Sequence, residues 1–329
     1  MSSLILHVGL GKTGSSSIQQ GLAALNNEGQ AADMRINYPR AEFGAGLFGA
    51  EMISAFGPFG GVDEQGAVEE ALARSASQAE ITIISGEMIA HTQNLAKVRL
   101  LDRLQDHFNR IEIIAYVRHP GDWNAATAAQ LFIDGVPLSD LVRWPYIETQ
   151  IGLLSAFREF AQLSKKVSLT VQRFEDAISH PYGLTGHFGE LAAQKFRLTD
   201  FRLEDGLHVN PSLCALQYLA IGRANELFVR TSAEGAIARQ KISDLRLGEE
   251  QAKRRFAQIY AEAEARSAIM YDYCGLNSWY GIKYSDLELF ERFDDQYLVT
   301  FQSQVTDLKT VDEIILLLVE EGFFAQQVT

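Results

Sequence analysis

Four short runs of β-branched and aliphatic residues constrain the fold more than any other feature: Leu4–Val8, Ile81–Ser85 (ITIIS), Ile111–Val117 (IEIIAYV) and Val167–Val171 (VSLTV). Each reads as a strand buried on both faces, the signature of a parallel sheet covered by helices. Helical patterns separate them at Ser15–Leu25, Val68–Gln78, Lys97–Phe108, Gly121–Phe132 and Thr149–Ser164. This alternation predicts an α/β fold, three-layer αβα around a central parallel sheet, with right-handed crossovers. The Gly-rich stretch Glu42–Gly66 has no clear period and leaves two readings open, a mobile loop over a site or a long surface excursion.

Beyond about residue 205 the strand-like runs stop. Pro211–Arg230 and Gly248–Tyr273 predict helices, and the apolar run flanked by acids in Thr310–Phe324 predicts a packed terminal helix. With no repeat or linker in view, the expectation is an α/β core over residues 1–205 with a mainly helical C-terminal extension, 206–329, packed on it.

The chain is 47% hydrophobic and 22% charged, enough apolar material for a large core. A net charge of −13 argues against nonspecific nucleic-acid or anionic-membrane binding, so a polyanion needs a local basic pocket. Cys214 and Cys274 sit in helix-like apolar patterns and read as buried thiols. No run of about 18 apolar residues predicts a membrane span. Leu4–Val8 is too short, and lacks the basic flank, for a signal peptide, so a cytoplasmic setting is expected.

The richest motif joins the first strand to the first helix: Gly9-Leu10-Gly11-Lys12-Thr13-Gly14-Ser15. Unsatisfied amides and the dipole at a helix start favour an anion there. A Walker loop would need a glycine at position 6, which is Leu6, and no strand ends in an obvious Walker-B acid. A dinucleotide fingerprint would need an acid at the end of the next strand, about 20 residues on. Asp33 has that spacing but ends no strand-like run. The third unit is Lys12-Thr13-Gly14-Ser15-Ser16-Ser17, in which an amine, successive amides and hydroxyls converge on one strongly charged group. Helix capping accounts for one serine but not for three after a lysine.

This strand–loop–helix resembles the 5′-phosphosulfate loop of sulfotransferases that use 3′-phosphoadenylyl sulfate (PAPS), whose core is K-[TS]-G-[TS]-[TS]. Ile111–Val117 followed by Arg118-His119-Pro120-Gly121-Asp122-Trp123 is similar to the family's strand–R-x-P–helix signature. Ile83-Ile84-Ser85-Gly86-Glu87 resembles the S-S-E strand end of bacterial members, and Val171-Gln172-Arg173-Phe174-Glu175-Asp176 their strand–[RY]-[FY]-E-D turn. His208-Val209-Asn210-Pro211-Ser212-Leu213 is similar to an R-x-N-x-S-L segment. The resemblance runs in order over residues 4–213.

It implies a P-loop NTPase-like fold and a PAPS-dependent sulfuryl transfer to an acceptor hydroxyl, on a small molecule or a carbohydrate, with no metal. Lys12 would neutralise charge at the leaving oxygen. Gly11, Thr13, Gly14, Ser15, Ser16 and Ser17 would hold the 5′-phosphate, and Arg118 the 3′-phosphate. The family serine that assists the arginine falls at Ala126, leaving Thr127 or Asn124 as the donor, or none. Glu87 is the expected base, against a role in capping or ion pairing, with His91 in reserve. The bland reading of Arg118 is an ion pair with Glu112 or Asp122. His7 reads as a core residue beneath the site, and His119 as a lining of the cofactor pocket. His107, His180, His187 and His208 have no metal-ligand spacing. Trp123, Trp144 and Tyr146 either stack on a sugar or pack in the core. Two other functions remain: a P-loop kinase or nucleotide hydrolase, and a non-catalytic sulfotransferase-like binder.

Overall fold

The structure, a computed structural model, describes residues 2–27, 36–39, 62–118, 120–137, 150–198, 201, 203 and 215–244. In chain order its elements begin with β1 (Ser3–Val8), α1 (Ser15–Asn27), β2 (Ile36–Asn37), α2 (Val62–Gln78), β3 (Ile81–Gly86), α3 (Met88–His91) and α4 (Asn94–His107). There follow β4 (Arg110–Val117), α5 (Pro120–Ile133), α6 (Gln150–Leu163), β5 (Val167–Arg173), α7 (Phe174–Ile178), α8 (Gly183–Phe196), α9 (Ala215–Ala224) and α10 (Ala233–Ser243).

All four apolar runs are strands, joined by β2 in one five-stranded sheet of order β2-β3-β1-β4-β5. Every pairing is parallel, with Val8 opposite Gly86, His7 opposite Ile114 and Val117 opposite Arg173. β1 and β3 are buried almost throughout, because helices cover both faces. Ile5, Ile83, Ile114 and Tyr116 share one face, where Ile18 and Leu22 of α1 and Leu184, Phe188 and Ala192 of α8 pack on them. On the other, α4 lies along β4, α6 along β5 and α2 along β3. Each fully buried Leu, Ile or Phe there contributes about 1.5–3 kcal/mol.

One carboxylate interrupts the apolar surface. Glu112 on β4 is only 1% exposed. Its oxygens accept from the hydroxyls of Ser168 and Thr170 and lie 3.0 Å from Lys195 Nζ. A buried charge is tolerable only with such partners.

The chain divides into two compact units, residues 1–118 with 150–209, and residues 119–149 with 210–329. The sheet belongs to the first. In the second, α9 packs on α5 through Gly222, where a Cβ would fall 2.7 Å from Phe132 Cε1. Asn225 Nδ2 donates to the carbonyls of Phe132 (2.8 Å) and Val136 (3.0 Å). Ser232 caps α10, its hydroxyl accepting from the Gly235 amide at 3.0 Å.

Two helix boundaries differ from expectation by more than one turn, the others by less, and helices α8 and α10 carry no sequence expectation. α2 starts at Val62, so residues 62–66 of the Gly-rich stretch are helical. Gly66 faces open space there and costs the helix only intrinsic propensity. Of the expected helix Pro211–Arg230, residues 215–230 are described: Ala215–Ala224 is helical, and from residue 225 the chain leaves the helix in turns. The helices expected at Gly248–Tyr273 and Thr310–Phe324 lie outside the described residues, as do Cys214, Cys274, His119, Trp144, Tyr146, most of Glu42–Gly66 and the 208–213 segment. Trp123 is buried, as core packing requires. Among the described residues, no helix is long and apolar enough to cross a membrane.

Candidate active site

Parallel strands end on the same edge, so the residues following β1, β3, β4 and β5 are neighbours in space. These are the loop 9–14, Glu87, Arg118 and Phe174.

The loop is held in an uncommon conformation. Gly11, Lys12 and Gly14 have φ of 68°, 52° and 77°. Left-handed backbone suits glycine, but for a lysine it costs about 1–2 kcal/mol. Gly9 is required by crowding, since a Cβ there would lie 2.1 Å from Ser15 Oγ and 3.2 Å from Glu87 Cα. At Gly14 a Cβ would meet Leu184 Cδ2 at 2.1 Å and Phe174 Cε2 at 3.4 Å. α1 then starts on the Gly14 carbonyl, which accepts from the amides of Ser17 (3.0 Å) and Ile18 (3.3 Å).

Thr13 and Ser15 are buried, and neither Thr13 Oγ1 nor Ser15 Oγ has a hydrogen-bond partner. Ser15 therefore does not cap its own helix. A buried, unpaired hydroxyl costs about 1–3 kcal/mol. Lys12 and Ser17 are half-buried, and Ser16 is exposed.

Glu87 and His91 both reach this loop. A Cβ on Gly11 would sit 2.8 Å from Glu87 Oε1 and 3.5 Å from His91 Nε2. Glu87 precedes α3 but makes no side-chain capping bond to it. It is half-buried at the end of β3.

Arg118 crosses from β4 to the loop: its Nη1 donates to the Lys12 carbonyl at 3.2 Å. Its guanidinium lies over the Phe174 ring, 5.3 Å from the centroid. Glu112 is committed to Lys195 and lies 3.9 Å from Arg110, so the ion pair that it offered Arg118 in the sequence is not made. Thr127 and Ala126 are half-buried on α5, in the second unit. The side chains of Asn124 and Asp122 are outside the description.

Beneath the loop, His7 is fully buried, with Nδ1 2.8 Å from Ser85 Oγ. Burial pushes its pKa down to about 3, so it is a neutral imidazole. Its ring stands edgewise to Tyr116 and Phe188. Tyr116 Oη meets His187 Nδ1 at 3.0 Å, and burial raises the phenol's pKa. His187 is held below its ordinary value, first by burial and then by His180.

No family model matches the chain, and no curated protein or solved structure matches it.

The arrangement therefore gathers an amine, two unpartnered hydroxyls, a helix start, a guanidinium and a carboxylate at one sheet edge. That set suits a multiply charged anion beside a proton acceptor. A cleft of about 690 Å³, lined by Gln65, Arg99, Asp102, Arg103, Asp106 and Lys166, lies by the amino end of β5, at the opposite edge. Its cations and acids are mixed, with Arg103 3.5 Å from Glu69 and 3.8 Å from Asp106, which suits a solvated groove. Phe174 is legible in the sequence only as part of the turn after β5, with no role of its own. The signal was present in its place one residue past a strand end, but the arginine beside it needs the strand register.

Proposed function

We propose that this chain is a PAPS-dependent sulfotransferase with a P-loop NTPase-like core and a mainly helical C-terminal extension, working on an acceptor hydroxyl of a cytoplasmic small molecule or carbohydrate. The observation that carries the reading is the pair of buried, unpartnered hydroxyls at Thr13 and Ser15 in a loop closed by Arg118. Folding leaves such groups unpaired at a cost, and an anion with several acceptor oxygens removes it. The strand order, with β1 central and the loop leaving its carboxyl end, supports the fold reading.

When bound, PAPS would supply the sulfuryl group for in-line transfer. Amides of the loop and the hydroxyls of Thr13, Ser15, Ser16 and Ser17 would hold the 5′-phosphate, and Lys12 would neutralise the charge beside it. Arg118 would hold the 3′-phosphate, where a guanidinium offers two parallel donors. Glu87, facing the loop with no capping duty, would take the proton of the acceptor hydroxyl.

Calorimetry with adenosine 3′,5′-bisphosphate tests the proposal. Binding below the millimolar range is expected, and no binding of either this nucleotide or PAPS overturns it.

A further inference from the structure

Arg118 and Phe174 are the first residues beyond the paired ends of β4 and β5, because Val117 is the register partner of Arg173. Neighbouring strands run about 4.8 Å apart, so this register alone brings the two residues side by side. The guanidinium carbon then sits 5.3 Å from the ring centroid, within cation–π range. Nη1 of the same group donates to the Lys12 carbonyl at 3.2 Å.

The ring is itself partly buried. Phe174 packs against the core cluster of Ile114, Tyr116, Leu184 and Phe188. Its Cε2 stands 3.4 Å from where a Gly14 Cβ would be, so ring and loop share one wall. The neighbouring acid Asp176 turns to Arg173 instead, at 3.8 Å. An arginine stem carries about 2 kcal/mol of rotamer entropy, and a group already held in place loses less of it when a ligand arrives.

We infer that Phe174 is a positioning residue that aims Arg118 at the second phosphate of the bound nucleotide, so that preference for a 3′-phosphate depends on the ring. This rests on the PAPS reading above. A residue serving only the core would accept leucine with a loss of stability and no change in which phosphates are preferred. A residue that orients the guanidinium loses the preference and keeps the rest of the site.

The test is calorimetry of wild type, Phe174→Leu and Phe174→Tyr with adenosine 3′,5′-bisphosphate and adenosine 5′-monophosphate. Wild type should favour the bisphosphate. Phe174→Leu should erase about three- to tenfold of that preference while its monophosphate affinity holds, and Phe174→Tyr should restore it. In the Phe174→Leu background, Arg118→Ala should cost less than it does in wild type, since the two act together. If the leucine chain does not fold, Phe174→Met carries the same readout. Equal loss for both nucleotides, or no loss, overturns the inference. A wild-type chain that binds neither nucleotide, or both alike, overturns the sulfotransferase reading instead.

Discussion

His7 and Ser85 meet side chain to side chain at 2.8 Å, tying the strand that enters the loop to the strand that leads to Glu87. Unfolded, His7 titrates near 6.5; folded, burial holds it near 3. Between these values the unfolded chain binds a proton that the folded chain refuses. The stability that His7 contributes is therefore fully present above about pH 6.5 and drains away as pH falls toward 3, with His187 acting in the same direction. His7→Asn keeps a partner for Ser85 and removes the titration. Chemical denaturation at about pH 6 and pH 4 should show a shallower decline in this variant, by up to roughly 1 kcal/mol per pH unit.

Thr13→Val and Ser15→Ala should separate stability from binding. Removing a buried hydroxyl without a partner leaves folding unchanged or stabilises it by up to about 1 kcal/mol. Affinity for adenosine 3′,5′-bisphosphate should fall by about the same amount or more. Thermal midpoints that drop instead would show these hydroxyls to be structural.

Lys12→Ala and Arg118→Ala should each weaken nucleotide binding by about 1.5–3 kcal/mol, the worth of a charge-assisted hydrogen bond. Glu87→Gln should leave that affinity intact and abolish turnover of PAPS. Turnover equal to wild type would remove Glu87 as the base and pass the role to His91, which faces the same glycine.

Gly14→Ala places a methyl group into Leu184 and forces a left-handed alanine. A loss of about 2–4 kcal/mol in denaturant unfolding is expected, together with loss of nucleotide binding.

Lys195→Met leaves a carboxylate that is 1% exposed with only the Ser168 and Thr170 hydroxyls and Arg110 at 3.9 Å, and should destabilise by about 1.5–3 kcal/mol. Glu112→Gln should cost about 1 kcal/mol, because the 34% exposed lysine can turn to water. The two unfolding curves should therefore not coincide.

The strands that frame the site were legible because each is a run of apolar residues buried on both sides, and such runs are visible without any partner. β2 is not legible, because Ile36 and Asn37 are too few to make a pattern. Likewise the loop could be read from Lys12 and its serines, since neighbours in sequence carry it. What the sequence could not show is pairing across the sheet. Glu112 was offered to Arg118, whereas Lys195, arriving on α8, takes it. Phe174 was visible only as part of a turn, and its place beside Arg118 depends on a register that no local pattern encodes.

Lys12 holds its backbone at φ 52°, a region where glycine or asparagine would rest more easily. Position 12 thus sets two selections against each other. A library of replacements there, sorted for folding alone, should enrich the small or amide residues. Sorted for nucleotide capture, the same library should return the lysine. The gap between the two rankings measures how much discomfort the chain accepts in order to keep one amine at the head of its first helix.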